Sequence, residues 1–466
     1  MSENDEIKIK FKELIINVLG YEWDIVSKKL NDDPELLKQK NKSDCVLLQI
    51  LIHINAPKDI ILNALDKYPE GAQQINKYGK MPLHTALGKH SDPEIIKAVL
   101  DKYPLAARHK DNDDNLPLYL VLGENLNQSE LILEILKAYP EATQIKYRYD
   151  CLPLHIAIIN DIDLEIVKEL ININPDALRL KDGLGNFPLH LAISFCKSLE
   201  LINVILPEYP EAATFFNNDG NLPLHLLSWK DWNQYPIKIL FDVLNAYPNA
   251  ALKNCSYGHY PLHSLLNNNV PIEVLNEFIK ICPESLNLFE KGQLPLHLSI
   301  EKRLKQEVIL TIFNNYPEAT SIKNYLGEYP FNSILHNELT KETPDLTPIP
   351  PDNVAFEIYQ AFPGVVDTIT QPKYKEKAFD LLYPFRVNEV ITVTNFNGDN
   401  YIIKDWINKD NIKYKTLKTT LIEQHPELKP DKFYLITNDN EDPVDNLTLE
   451  KIFFDLSIQF ILVWNE

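Results

Sequence analysis

The stretch Gly220-Asn-Leu-Pro-Leu-His-Leu-Leu (residues 220–227) contains the tripeptide Pro-Leu-His, on which the reading of the whole chain turns. That tripeptide or a close variant recurs with its proline at Pro82, Pro117, Pro153, Pro188, Pro223, Pro261, Pro295 and Pro330, in steps of 35, 36, 35, 35, 38, 34 and 35 residues. A second ladder runs beside it. A proline, usually after Tyr and often before Glu-Ala, stands at Pro34, Pro69, Pro104, Pro140, Pro175, Pro210, Pro248, Pro283, Pro317 and Pro363. A fixed period of roughly 20–50 residues marks a stack of structural repeats.

Between the ladders the apolar spacing is helical. In Asp163-Leu-Glu-Ile-Val-Lys-Glu-Leu-Ile-Asn, residues Leu164, Ile166, Val167, Leu170 and Ile171 form a three–four stripe. The Pro-Leu-His proline has a fixed φ suited to a first helical turn, and the Tyr-Pro proline cannot continue the helix before it. Three residues ahead of each Pro-Leu-His proline stand Gly79, Asp114, Asp150, Gly185, Gly220, Gly258, Gly292 and Gly327, types that tolerate a tight turn. The unit is therefore turn, helix, helix, stop.

This unit resembles the ankyrin repeat, with its turn and Thr-Pro-Leu-His-x-Ala helix start. The threonine is replaced by apolar residues (Met81, Leu116, Leu152, Phe187, Leu222, Tyr260, Leu294, Tyr329), and Tyr-Pro-Glu-Ala stands where Gly-Ala-Asp is usual. The resemblance covers about residues 20–368 and implies a solenoid of helix pairs. Residues 1–44 read as N-terminal capping helices, and 45–368 as about nine repeats, the last carrying a Pro-rich insertion at 342–352. Residues 369–385 read as a linker.

After about residue 376 the period changes from 3.6 to 2. Val390-Ile-Thr-Val-Thr-Asn-Phe alternates, Asn397-Gly398 is a hairpin signal, and Asn400-Tyr-Ile-Ile-Lys-Asp-Trp returns. A helix is expected from about Lys413 to Gln424, then strands at Phe433-Tyr-Leu-Ile and Leu456 to Trp464. This order resembles the β-grasp of ubiquitin-like domains, so the fold class expected is an α-solenoid followed by a small α+β domain over 386–466. The chain ends Val463-Trp-Asn-Glu466 rather than in the Gly-Gly of a conjugated modifier. The resemblance thus implies a built-in docking module for ubiquitin receptors or the proteasome. If Ile458, Phe460, Leu462 and Trp464 face inward, then Ile461 and Val463 face outward near Ile436, which would make a docking patch. The same residues could instead cover the solenoid, leaving the domain a structural cap.

Composition narrows the functional classes. The 466 residues suit two to four domains or one long array. With 46 Lys plus Arg against 66 Asp plus Glu, the net charge of −20 repels the phosphates that nucleic-acid binders neutralise. No apolar run is long enough to span a membrane, and the acidic start does not read as a signal peptide. Five cysteines, Cys45, Cys151, Cys196, Cys255 and Cys282, include no C-x-x-C pair and read as reduced core thiols. These features point to the cytoplasm or nucleus, with neither nucleic acid nor membrane as partner.

The histidines His84, His155, His190, His225, His263 and His297 lie one repeat apart, whereas metal ligands must converge on one point. The ankyrin resemblance implies that they tie neighbouring turns through backbone hydrogen bonds, and Tyr119 takes this place in one unit. Neither a phosphate-cradling nor a nucleophile motif occurs. No catalytic residue, metal or cofactor is expected, and the chain reads as a non-enzymatic adaptor that binds proteins. Four residues ahead of each Pro-Leu-His proline lies a turn tip, and aromatic tips at Tyr78, Tyr149 and Tyr257 are candidate anchors. A longer loop in Ser228-Trp-Lys-Asp-Trp-Asn-Gln-Tyr adds Trp229 and Trp232 as candidates. Packing of the tips on one another, and filling of the loop by both indoles, are the alternatives.

Overall fold

In the computed structural model of the chain, the described residues are 3–123, 129–195, 199–232, 236–339, 353–371, 373–374, 377–378 and four short strands. The Pro-rich insertion at 342–352, the hairpin tip Asn397-Gly398 and the helix expected over 413–424 lie outside them, as do Cys196 and the loops 438–442 and 447–449. Two compact units divide the chain, Met1–Ser264 and Leu265–Glu466.

The first unit opens with α1 (Glu3–Leu19) and α2 (Trp23–Asp32). Helix pairs follow: α3 (Leu47–His53) with α4 (Lys58–Lys67), α5 (Pro82–Gly88) with α6 (Pro93–Lys102), and α7 (Pro117–Gly123) with α8 (Ser129–Ala138). Next come α9 (Pro153–Ile159) with α10 (Leu164–Ile173), α11 (Pro188–Phe195) with α12 (Leu199–Glu208), and α13 (Pro223–Ser228) with α14 (Ile237–Ala246). The unit boundary falls within α15 (Pro261–Asn267). The second unit holds α16 (Ile272–Ile281), α17 (Pro295–Glu301), α18 (Gln306–Asn315), α19 (Pro330–Leu339) and α20 (Asn353–Ala361).

Proline starts the short first helices for two reasons. Its φ is preset for the first turn, and it forces the residue before it into extended backbone, which a helix N-cap requires. Accordingly Met81, Leu152 and Leu222 have ψ values of 164°, 161° and 159°. The second helices bury a stripe such as Ile95, Ile96, Val99 and Leu100, with the opposite side in water. Each ends just ahead of a proline, which most often follows Tyr. Tyr103 leaves the helical region at φ −147°, and Pro104 begins a 3-10 turn whose Ala106 and Ala107 are fully buried. Alanine fits there because the turn packs backbone-close against the neighbouring repeat.

Most turns are built on an Asx side chain six residues ahead of the Pro-Leu-His proline, at Asn76, Asp111, Asp182, Asn217 and Asn324. Asn76 Oδ1 accepts from the Tyr78 and Lys80 amides, Asp182 Oδ1 from Leu184 and Asn186, and Asn217 Oδ1 from Asp219 and Asn221. The residue three before the proline then turns through positive φ in every unit, +73° at Gly79 and +63° at Asp114, for instance. Within the first unit successive turns also bond to each other. Lys77 N donates to Ser43 O, Asn112 N to Tyr78 O, and Asn218 N to Leu184 O, at 3.0–3.1 Å. A Cβ on Gly185 would come within 2.8 Å of Asn218 N at a φ of +77°. Gly185→Val is therefore expected to cost about 2 kcal/mol or more, read as a lowered urea midpoint, from left-handed strain and crowding together.

The second unit also contains a four-stranded sheet of β1 (Ile391–Asn395), β2 (Asn400–Ile403), β3 (Phe433–Thr437) and β4 (Phe460–Trp464), in the order β2-β1-β4-β3. The pair β1–β4 is parallel, and the β1–β2 and β3–β4 pairs are antiparallel.

Candidate protein-binding surface

Four of the six repeated histidines, His84, His155, His190 and His225, serve as structural ties. In α9, His155 Nδ1 accepts from Leu152 N at 2.9 Å, which leaves the ring proton on Nε2, 3.1 Å from Leu180 O in the following repeat. His225 does the same between Leu222 N and Lys253 O, and His84 between Met81 N and His109 O. His190 reaches Asn221 O. Burial holds the imidazolium form down, pushing His84, His190 and His297 to about 4 and lowering His155 and His225. The rings of His84, His155, His190 and His225 are neutral ties between repeats. Tyr119 does the same work with different chemistry: its hydroxyl donates to Ile145 O and its ring stacks on Tyr147 at 4.5 Å.

Among the described residues no three His, Cys, Asp or Glu side chains converge as metal ligands, and no helix is long and apolar enough to cross a membrane. Cys255 and Cys282 are buried, whereas Cys45 and Cys151 are only half-buried. Burial raises the thiols of Cys45 and Cys282 and lifts Cys151 to about 11, so these are mainly protonated near neutral pH.

The turn tips, by contrast, project. Tyr78, Tyr149 and Tyr257 are 53%, 81% and 70% exposed, with Leu184 also exposed among them and Asp113 and Asp219 interleaved. Lys77 lies over the Tyr78 ring at 4.9 Å. Tyr149 sits in the left-handed region, at φ 54° and ψ 36°, unusual for a bulky residue. Trp229 caps α13, and its indole donates to Ser264 Oγ at 3.1 Å while the ring stays 39% exposed. Trp232, by contrast, is only 7% exposed, so of the two indoles only that of Trp229 presents surface to a partner. The register sets Ile436 opposite Ile461 and Tyr434 opposite Val463.

Two features escaped the sequence reading. One is the Asx row at Asn41, Asn76, Asp111, Asp182, Asn217 and Asn324, whose signal was present as a recurrence at the repeat period. The other is a cavity of about 630 Å³ bounded by α1, α3 and α5. It has no periodic signature, because the side on which α1 packs is set by tertiary contacts.

Helix pairs, Asx-anchored turns and histidine ties define the class, a helical ankyrin-like solenoid. The family "Ankyrin repeats (many copies)" matches residues 170–227, and such repeats are modules of protein–protein interaction. Among solved structures, the ankyrin repeat domain of Bcl-3, described as a unique member of the IkappaB protein family, is 18% identical, covering 47% of this chain and 94% of its own with a TM-score of 0.39. The human ASB11 ankyrin repeat domain is 14% identical, covering 53% of this chain and 98% of its own with a TM-score of 0.37. No curated protein sequence matches significantly.

Proposed function

We propose that the chain is a non-enzymatic scaffold of the cytoplasm or nucleus, whose repeats over 45–368 hold a client protein through the exposed tips Tyr78, Tyr149 and Tyr257 together with Trp229. The observation that carries this reading is Tyr149, a large aromatic held 81% exposed in a strained backbone conformation. An aromatic that is neither buried nor relaxed fits a contact made with another molecule. Residues 1–44 cap the stack, and a linker at 369–385 leads to a ubiquitin-like β-grasp domain over 386–466. The parallel β1–β4 pair, with an antiparallel partner on each side, supports that assignment. In this reading Ile436, Ile461 and Val463 dock on ubiquitin receptors or the proteasome, and fusion makes the second contact intramolecular. The second reading keeps the scaffold and makes the C-terminal domain a cap.

Affinity capture with quantitative mass spectrometry separates them. Tyr149→Ser with Tyr257→Ser should weaken client binding by about 30-fold, as the loss of two aromatic anchors worth about 1 kcal/mol each implies. Changing Ile436, Ile461 and Val463 to Ala should remove ubiquitin-pathway proteins and leave the client. An unchanged client set in the tyrosine variant defeats the first assignment, and an unchanged ubiquitin-pathway set in the alanine variant leaves the cap.

A further inference from the structure

The cavity against α1, α3 and α5 has a chemical character unlike the rest of the chain. Of 466 residues 66 are acidic, yet none of the side chains lining this cavity is a carboxylate. Its wall carries the ammonium groups of Lys80 and Lys89, the neutral polar groups of Gln49 and Cys45, and apolar surface from Ile15 and Leu19.

The nearest opposing charge is already committed. Asp111 comes within 4.0 Å of Lys80 Nζ, but its carboxylate accepts from the Asn115 side chain and from the Asp113 and Asn115 amides, and the lysine stays 42% exposed. Asp44 lies beside Cys45 on the turn and does not line the cavity. His53, on the cavity wall, is held toward its neutral form by burial and by Lys89.

Gln49 adds a second observation. It is only 1% exposed, its amide nitrogen donates to Lys80 O at 2.7 Å, and its Oε1 has no hydrogen-bond partner among the described residues. A buried acceptor left unmet costs about 1–3 kcal/mol, so this wall carries a polar group that the described residues do not satisfy.

We infer that this groove binds an acidic peptide segment of a partner, with its carboxylates against Lys80 and Lys89 and its apolar side chains against Ile15 and Leu19. The inference rests on the scaffold reading and assigns the chemistry of one client contact. Charge complementarity selects the occupant: a basic segment would meet two ammonium groups on a wall that carries no carboxylate, which an acidic segment would complement.

The test uses the full chain and three short fluorescein-labelled peptides that differ only in carrying Glu, Gln or Lys between leucines. Anisotropy titration should show the Glu peptide binding about tenfold or more tighter than the Gln peptide, with affinity falling as salt rises. Lys80→Glu with Lys89→Glu should abolish that preference, with the urea midpoint confirming that the variant is folded. On the unaltered chain, the Glu peptide should slow alkylation of Cys45 by N-ethylmaleimide and leave Cys151 unaffected. Equal binding of the Glu and Gln peptides, a double variant that still prefers Glu, or unprotected Cys45 overturns the inference. The scaffold reading fails separately, through an unchanged client set in the Tyr149→Ser, Tyr257→Ser variant.

Discussion

Acidification from pH 7 to pH 4.5 is expected to destabilise the repeats of residues 1–264 steeply, with most of the loss complete before the carboxylates titrate. His84, His155, His190 and His225 all have folded pKa values below the ordinary 6.5, held there first by burial, and His84 and His190 fall to about 4. A depressed histidine means that the unfolded chain binds more protons than the folded one between pH 6.5 and about 4. Stability from this source is whole above pH 6.5 and declines as pH falls through that window. A drop of about 2.5 pH units corresponds to roughly 3 kcal/mol per ring, so two such rings alone rival the lower end of a typical total stability of about 5–15 kcal/mol. Asp111 faces His84 and opposes the shift there. Relief of self-repulsion in a chain of net charge −20 has the opposite sign and would stabilise the fold on mild acidification. Urea midpoints at pH 7.5, 6.0 and 5.0 decide between the two. A fall of the midpoint along this series is expected, and a flat or rising midpoint contradicts the histidine account.

The second large effect is expected from His155→Ala. The substitution strands the buried Leu152 N–H, worth about 1–3 kcal/mol when unpaired, removes the donor to the part-buried Leu180 C=O, and leaves a void. A total of about 3–5 kcal/mol follows. Because the bond joins one repeat to the next, the loss falls on a nearest-neighbour interface, and denaturation should broaden or split into two phases. Tyr119→Phe is the measured contrast. It removes one donor to Ile145 O and keeps the stacked ring, so a cost of about 1–2 kcal/mol with an unbroken single transition is expected. Equal effects of the two variants would mean that the imidazole holds nothing beyond its own volume.

The helix pairs and turns were legible because proline, glycine and the apolar stripe each impose a local backbone preference, repeated often enough to outweigh any one exception. Tyr119 and Tyr147 show how far that legibility extends. Each breaks its own column, one replacing His and the other an Asx anchor, and only the fold reveals that the two departures stack together as one repair. The exposed tips Tyr78, Tyr149 and Tyr257 could be placed from their position ahead of the proline. The fate of Trp232 could not, since burial in a non-periodic loop depends on partners distant in sequence. The same holds for the cavity: Lys80 and Lys89 look ordinary in the sequence, and a wall holding both without a lining carboxylate exists only once α1, α3 and α5 are assembled.

The bonds from one turn to the next, Lys77 to Ser43, Asn112 to Tyr78 and Asn218 to Leu184, have a mechanical consequence. Tension applied along the first unit meets these links in series, one interface at a time, as a seam that opens stitch by stitch. Each stitch releases about 35 residues, roughly 120 Å of contour length. The stack therefore yields in near-equal increments and can re-form behind the load, the behaviour of a spring whose extension is counted in repeats.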